Sequence, residues 1–216
     1  MLALLLAREA GLDASTFLTM CEADGHSKSH ALPPDLVSAQ VAALGGLWRP
    51  VTVPPLPGAY AMAFQAALQA LQDSGHTHLV FGDIDLQAHR DWLEPQCADA
   101  GLQAVFPLWG RARRDVAKEI VARGIQAQLV CVDTRWLDAS FAGAAYDAAL
   151  LARLPAGICP CGEGGEFHTF VTGGPGFAAP LAVVPGPLRR VASTPPLSPT
   201  ELIFCTPVWA DAEAAA

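Results

Sequence analysis

The run Cys161-Gly162-Glu163-Gly164-Gly165-Glu166-Phe167-His168-Thr169-Phe170-Val171 sets a thiol, two carboxylates and an imidazole around three glycines. Glycine tolerates positive φ and close backbone approach, whereas Phe167, Thr169 and Val171 favour an extended chain, so the run reads as a tight loop opening into a strand. Glu163 and Glu166 are costly to bury without partners, which points to solvent or ligand contact. Carboxylates so placed can orient an amine or ammonia, bind magnesium through oxygen, or act as general base. His168 is either a core imidazole satisfied by a backbone group or a member of this site. Cys161 and His168 also have the composition of a nucleophilic pair, although the spacing alone does not bring them into contact. Cys159-Pro160-Cys161 is too closely spaced for an ordinary zinc knuckle and has no second cysteine pair nearby, so ordinary or redox-sensitive thiols are expected.

A second set of candidates begins at Gly82-Asp83, directly after the apolar run His78 to Phe81. The glycine would let a ligand approach the backbone and Asp83 would stand on the rim of a crevice. Equally, Asp83 has the character of a cap for the helix that follows. Gln87 and Arg90, three apart on one helical face, add donors suited to a carboxylate or phosphate. Arg111, Arg113 and Arg114 open a further helix and either attract phosphate or form a solvated head pairing with Asp115 and Glu119; the solvated reading is preferred.

These residues need a frame, and the chain supplies one. Apolar residues form 52% of the 216 and charged residues 16%, a composition that folds around a sizeable core. Thirteen Lys and Arg against 21 Asp and Glu give a net charge of -8, so a generic grip on nucleic acid is not expected. The apolar opening, Met1 to Ala7, lacks a basic start and meets Arg8, Glu9 and Asp13, a poor match to a signal peptide and too short for a membrane span. The uncharged segment 169–188 is broken by Gly and Pro. A cytoplasmic location is expected, and the six scattered cysteines suit a reducing compartment.

Helices are expected at 2–10, 35–44, 59–73, 87–99 and 111–123, and strands at 15–21, 48–53, 78–81, 102–106 and 126–132. Short apolar strands alternating with helices predict an α/β parallel sheet buried on both faces. In such a sheet ligands gather at loops beyond the strand C-termini: 22–30, 82–90 and the chain from 133 onward. The rhythm weakens at 133, so a domain of residues 1–132 and a smaller α+β lobe of 133–210 are expected.

The sequence resembles the diphthine-ammonia ligase family, related to the PP-loop ATP pyrophosphatases. The resemblance rests on Gly82-Asp83-Ile84 with Arg90, Pro107-Leu108-Trp109, Phe141 and Gly143 with Asp147, and above all Cys161-Gly162-Glu163 with Gly165 to Val171 and Gly174-Pro175. It implies a Rossmann-like sheet of the adenine-nucleotide alpha-hydrolase type with a smaller acceptor-site domain. It further implies ATP with Mg2+, a small-molecule or protein carboxylate as acceptor, and ammonia. Gly82, Asp83, Gln87 and Arg90 would lie near the nucleotide, and Glu163, Glu166 and His168 would be catalytic at the acceptor; a metal-ligand set is not specified, and a homo-oligomer is left open. The chain opens inside the helix that in the family follows the first strand and Ser-Gly-Gly-Lys-Asp-Ser phosphate loop; a start placed too far downstream is the preferred expectation, and loss of the strand and loop the alternative. Gly164 stands where the family usually has Asn, and Ala144 where Arg often follows. The changes at Gly164 and Ala144 bear on the polar contacts to the acceptor, expected to be other than diphthine, and loss of the phosphate loop would leave a non-catalytic protein that binds an adenine nucleotide or another metabolite.

Overall fold

The computed structural model describes residues 1–28, 30–193 and 199–210. Ser29 of the expected 22–30 loop and residues 194–198 of the expected second lobe therefore lie outside the description. The chain divides into two compact units, Met1–Arg111 and Ala112–Ala216, an earlier division than the 132/133 boundary expected.

In the first unit α1 (Leu2–Glu9) is followed by β1 (Thr16–Cys21), α2 (Pro34–Ala43), β2 (Leu47–Thr52), α3 (Ala59–Asp73), β3 (His78–Val80), α4 (Gln87–Asp99) and β4 (Gln103–Val105). Leu2, Ala3, Leu5 and Ala7 bury one side of α1, as their helical spacing requires. Arg8 then closes the turn beyond it by donating from Nη2 to the Ala14 carbonyl at 2.9 Å. Pro33 and Pro34 lead into α2, with Pro34 in its first turn, where a missing N–H costs nothing. Phe64, Leu68 and Leu71 of α3 pack with Cys97, Ala100 and Leu102, and Leu18, Met20, Leu79 and Phe81 join this core from the strands.

β1 pairs with β2 and β3 with β4, both in parallel, as a strand-helix rhythm predicts. No strand hydrogen bonds join one pair to the other among the described residues; the side chains of His76 and Thr16 meet between them at 2.9 Å. The expectation of strands buried on both faces is corrected. Most of β1 is half-buried and β2 alternates between exposed and half-buried positions. Apolar composition measures what a strand can bury, not how much cover its neighbours supply.

The second unit comprises α5 (Arg113–Ala122), β5 (Gln126–Asp133), a short 3-10 turn at Ala139–Phe141, α6 (Ala148–Arg153), β6 (Phe167–Gly173), β7 (Val183–Val184), β8 (Leu188–Ala192), β9 (Glu201–Cys205) and β10 (Val208–Trp209). Its main sheet has the order β6-β5-β9-β8, and every pairing in it is antiparallel. β5, expected as the last strand of the parallel sheet, is thus the centre of a different one. A continuous apolar run identifies a buried strand but carries no information on the direction of its partners. Ala117 of α5 packs into the same core as Leu129, Val132, Phe141, Leu150, Phe167 and Ile203, so helix and strand both belong to this unit.

At the end of β5 the Asp133 side chain is 3% exposed. It accepts from Arg135 Nη2 at 2.6 Å and Nε at 3.0 Å, from the Arg135 backbone N–H at 2.9 Å and from the Thr200 hydroxyl at 2.7 Å. Burial alone would raise its pKa, but the Arg135 and Thr200 bonds outweigh it and hold the carboxyl below the usual carboxylate range. A depressed folded value means the group stabilises the fold fully above its unfolded pKa of about 3.9, and that this contribution disappears as pH falls through the lower folded value. Asp133→Ala is expected to cost on the order of 2 kcal/mol at pH 7 in urea unfolding, and the gap to wild type is expected to shrink below about pH 4.

Candidate functional site

The acidic loop of the second unit is built from backbone donors and one buried carboxylate. Glu166, 7% exposed, accepts from the Cys159 N–H through Oε1 at 3.1 Å and from the Gly164 N–H through Oε2 at 2.8 Å. Both oxygens are therefore directed to the loop that carries them. Tyr146 fixes the same segment by donating its hydroxyl to the Pro160 carbonyl at 2.6 Å. Its phenol is pushed well above the ordinary value, first by burial and then by the neighbouring Cys161 and Cys159. Gly162 adopts φ +72°, and a Cβ there would come within 2.6 Å of the Phe167 carbonyl, so the turn requires glycine. At Gly164 a Cβ would lie 2.9 Å from Glu166 Oε1, so a larger residue there would have to displace the Glu166 carboxyl group.

Glu163 is half-buried on the same loop. His168 is half-buried on β6, in register with Cys131 of β5, and burial lowers its pKa, which keeps the ring neutral near pH 7. The Cys161 thiol donates to the Arg113 carbonyl at 3.2 Å and is pushed up to about 12, first by burial and then by Cys159 and Glu163. A nucleophilic thiolate at neutral pH needs a lowered pKa, so this environment is opposed to a Cys161-His168 nucleophile pair. The six cysteines are free thiols.

In the first unit the loops after β3 and β4 are held together. The Gly110 N–H donates to the Ile84 carbonyl at 2.8 Å, and Ile84 and Leu108 are buried. Phe81 stacks on Phe106 at 5.1 Å and Trp109 meets the edge of Phe106 at 5.8 Å. The Arg90 guanidinium lies 4.7 Å from the Trp109 ring and 5.2 Å from that of Phe106, while its Nε donates to Glu94 at 2.7 Å. Asp83 does not cap α4, whose N-cap is Leu86; it pairs with His89 at 2.9 Å. Gln87 donates to Asp91 at 2.6 Å. Gly82 has neither a positive φ nor any atom within 4 Å of where its Cβ would be. Nothing in the fold demands glycine there, and a Cβ would stand in open space.

The structure thus gathers Gly82, Asp83 and Arg90 around one pair of loops, and Glu163 and Glu166 on another, each within its own unit. After β1, Lys28 pairs with Glu22 at 2.8 Å and the Leu32 N–H donates to the Ser27 hydroxyl at 3.1 Å. Asp147, singled out within the Phe141-Gly143 motif, is the N-cap of α6 and accepts from Leu150 N–H at 2.8 Å. Asp133 and Tyr146 went unrecognised as organising residues, because their partners are distant in sequence or lie on the backbone. Among the described residues no three His, Cys, Asp or Glu side chains form a metal cage. No helix among them is long and apolar enough to cross a membrane.

Residues 112–190 match the family model described as the diphthamide synthase C-terminal domain. The matched segment contains the whole acidic loop, with Glu163, Glu166 and His168, while Gly82 to Arg90 precede it. No curated protein matches the chain.

Two substitutions separate positions the fold requires from those it does not. Glu166→Ala leaves two loop N–H groups without their acceptor and is expected to lower stability by about 1–3 kcal/mol in thermal or urea unfolding. Gly82→Ala is expected to leave stability unchanged or raise it by up to about 1 kcal/mol, since alanine fits the space and restricts the unfolded chain. A marked loss in the Gly82 variant would show that glycine serves the backbone there instead of leaving room for a ligand.

Proposed function

We propose that this protein is an ATP-dependent amide-forming ligase of the diphthine-ammonia ligase type, with a carboxylate other than diphthine as acceptor. The observation that carries the reading is the match of residues 112–190 to the diphthamide synthase C-terminal domain, whose span includes the acidic loop held shut by Glu166. ATP, when bound, supplies the adenylyl group that activates a carboxylate toward ammonia, with AMP and pyrophosphate as released products. The first unit is proposed to be the Rossmann-like nucleotide domain, in keeping with its two parallel strand pairs.

The residues fit these tasks unequally. Gly82 leaves its backbone uncovered where a Cβ would stand, room for a ligand to approach, and Arg90 sets a cation over the Phe106 and Trp109 rings while its Nε pairs with Glu94. Asp83 brings a carboxylate to the rim of the same loops. Magnesium bound largely by phosphate oxygens and water needs only one or two protein carboxylates, so the lack of a cage among the described residues is compatible with it. Gln87 is assigned to the nucleotide side with Arg90, though its amide is engaged by Asp91. Glu163 is the carboxylate proposed to receive or orient ammonia and to accept its proton. Glu166 acts by positioning the loop, and His168, neutral on β6, is proposed to offer a hydrogen bond to the acceptor.

A second reading, a non-catalytic protein binding an adenine nucleotide or another metabolite, is favoured by one observation: both Glu166 oxygens serve the loop itself. The two readings part in a pyrophosphate-exchange assay. With a panel of candidate carboxylates the ligase is expected to exchange labelled pyrophosphate into ATP, and Glu163→Gln is expected to keep exchange while slowing amide formation about 100-fold or more, as loss of a general base does. Binding of AMP or adenosine by calorimetry without exchange under any condition would favour the non-catalytic protein. Absence of both binding and exchange would dispose of both readings.

A further inference from the structure

β8 is an outer strand of the main sheet of the second unit: in the order β6-β5-β9-β8 it is bonded to β9 alone among the described residues. Two hydrogen bonds settle which of its backbone groups that pairing uses. Just beyond the strand, Ser193 N–H donates to the Thr200 carbonyl at 2.8 Å, and bonded pairs alternate along an antiparallel ladder. Val191 with Leu202 and Arg189 with Phe204 are therefore the bonded pairs. On the other side of β9, Thr134 N–H donates to the Glu201 carbonyl at 3.0 Å, which gives Glu201 and Ile203 to β5 and leaves Leu202 and Phe204 for β8. Both bonds lead to the same assignment. The N–H and C=O groups of Leu188, Arg190 and Ala192 point away from the sheet, and no backbone group among the described residues bonds them.

Such a rim is a template for another chain unless it is covered or blunted. Four of the five β8 residues, all but Val191, are exposed, and none is a proline. In a chain of net charge -8 the strand carries two arginines and no acidic residue. Successive side chains alternate, so Arg189 and Arg190 stand on opposite faces. Arg189 lies over the Phe204 ring, 5.0 Å from its centre, and Arg190 pairs with Glu201 of β9. An exposed ion pair of this kind contributes little, so a carboxylate on an added strand can share or replace Glu201. A second copy of β8 fits poorly. In the antiparallel register that uses the whole strand, Arg190 would face its own counterpart, and like charges directly opposite are unfavourable.

We propose that β8 is a docking edge for an extended acidic segment of another protein, which joins the sheet as a further antiparallel strand. Backbone bonds to Leu188, Arg190 and Ala192 hold the segment, and adjacent carboxylates opposite Arg189 and Arg190 select it. The edge is distinct from the acidic loop, and the proposal does not depend on the ligase reading.

The test uses the full chain, labelled with 15N, with the blocked peptide Thr-Val-Glu-Glu-Val-Thr as probe and Thr-Val-Lys-Lys-Val-Thr as control. At saturation the acidic peptide is expected to slow amide exchange at Leu188, Arg190 and Ala192 at least about ten-fold, while Arg189 and Val191, already bonded to β9, change little. The lysine peptide is expected to bind at least about ten-fold more weakly. Ala192→Pro, which removes one outward N–H and keeps both arginines, is expected to weaken binding with the melting temperature unchanged. Arg190→Gln is expected to narrow the preference between the two peptides. Equal binding of both peptides, no response to the acidic one, or full binding retained in Ala192→Pro would each overturn the proposal. Should Ala192→Pro fail to fold, the wild-type pattern decides by itself: protection spread evenly over 188–192, or none, would overturn it.

Discussion

Burying a carboxyl group is costly unless donors replace its water, and Glu166 meets that condition with two backbone N–H groups of its own loop. The rest of the acidic segment follows from this closure. Because the chain between Cys159 and Glu166 is drawn shut, it must turn tightly, which places Gly162 in a left-handed conformation and brings the Glu166 carboxyl group close to where a Cβ at Gly164 would stand. The Glu166 carbonyl accepts from Asp133 N–H at 3.0 Å, so the loop that bears Glu163 is tied to the end of the central strand. Asp133 is in turn held by Arg135 and Thr200. Two buried carboxylates, each with its donors, thus anchor one end of the sheet.

The first unit solves a similar problem with aromatic surface. Arg90 has its guanidinium over the Phe106 and Trp109 rings and its Nε on Glu94, so a cation stays beside the loop instead of extending into solvent. Ile84 and Leu108 bury the roots of the two loops, and a backbone bond from Gly110 to Ile84 joins them. Against that rigid background the empty space around Gly82 is informative: the fold makes no use of a glycine there. The proposed nucleotide role draws its support from that contrast between constrained neighbours and an unconstrained position.

Much of this organisation was legible in the order of residues. The five helices and five strands expected up to residue 132 occur close to their expected limits, because each apolar stripe or run is bounded by Gly, Pro or polar residues. The acidic loop could be recognised from its glycines and carboxylates, and its resemblance to the diphthine-ammonia ligase family agrees with the match over residues 112–190. Less legible were the uses of its members. Glu163 and Glu166 look alike in sequence, yet Glu166 is turned inward by donors at Cys159 and Gly164. Asp83 had the right position for a helix cap but was drawn to His89, six residues on, instead.

By itself the sequence determined what depends on near neighbours: where helices and strands begin and end, which turn needs Gly162, and the charge and thiol content that bound the chemistry. Tertiary structure decided what depends on residues far apart. It made β5 the centre of an antiparallel sheet, raised the Cys161 thiol by enclosing it, and put Asp133 within reach of Thr200. Local conformation is set by sterics and backbone bonding over a few residues, whereas strand direction, desolvation and the pairing of buried polar groups exist only once distant segments have met.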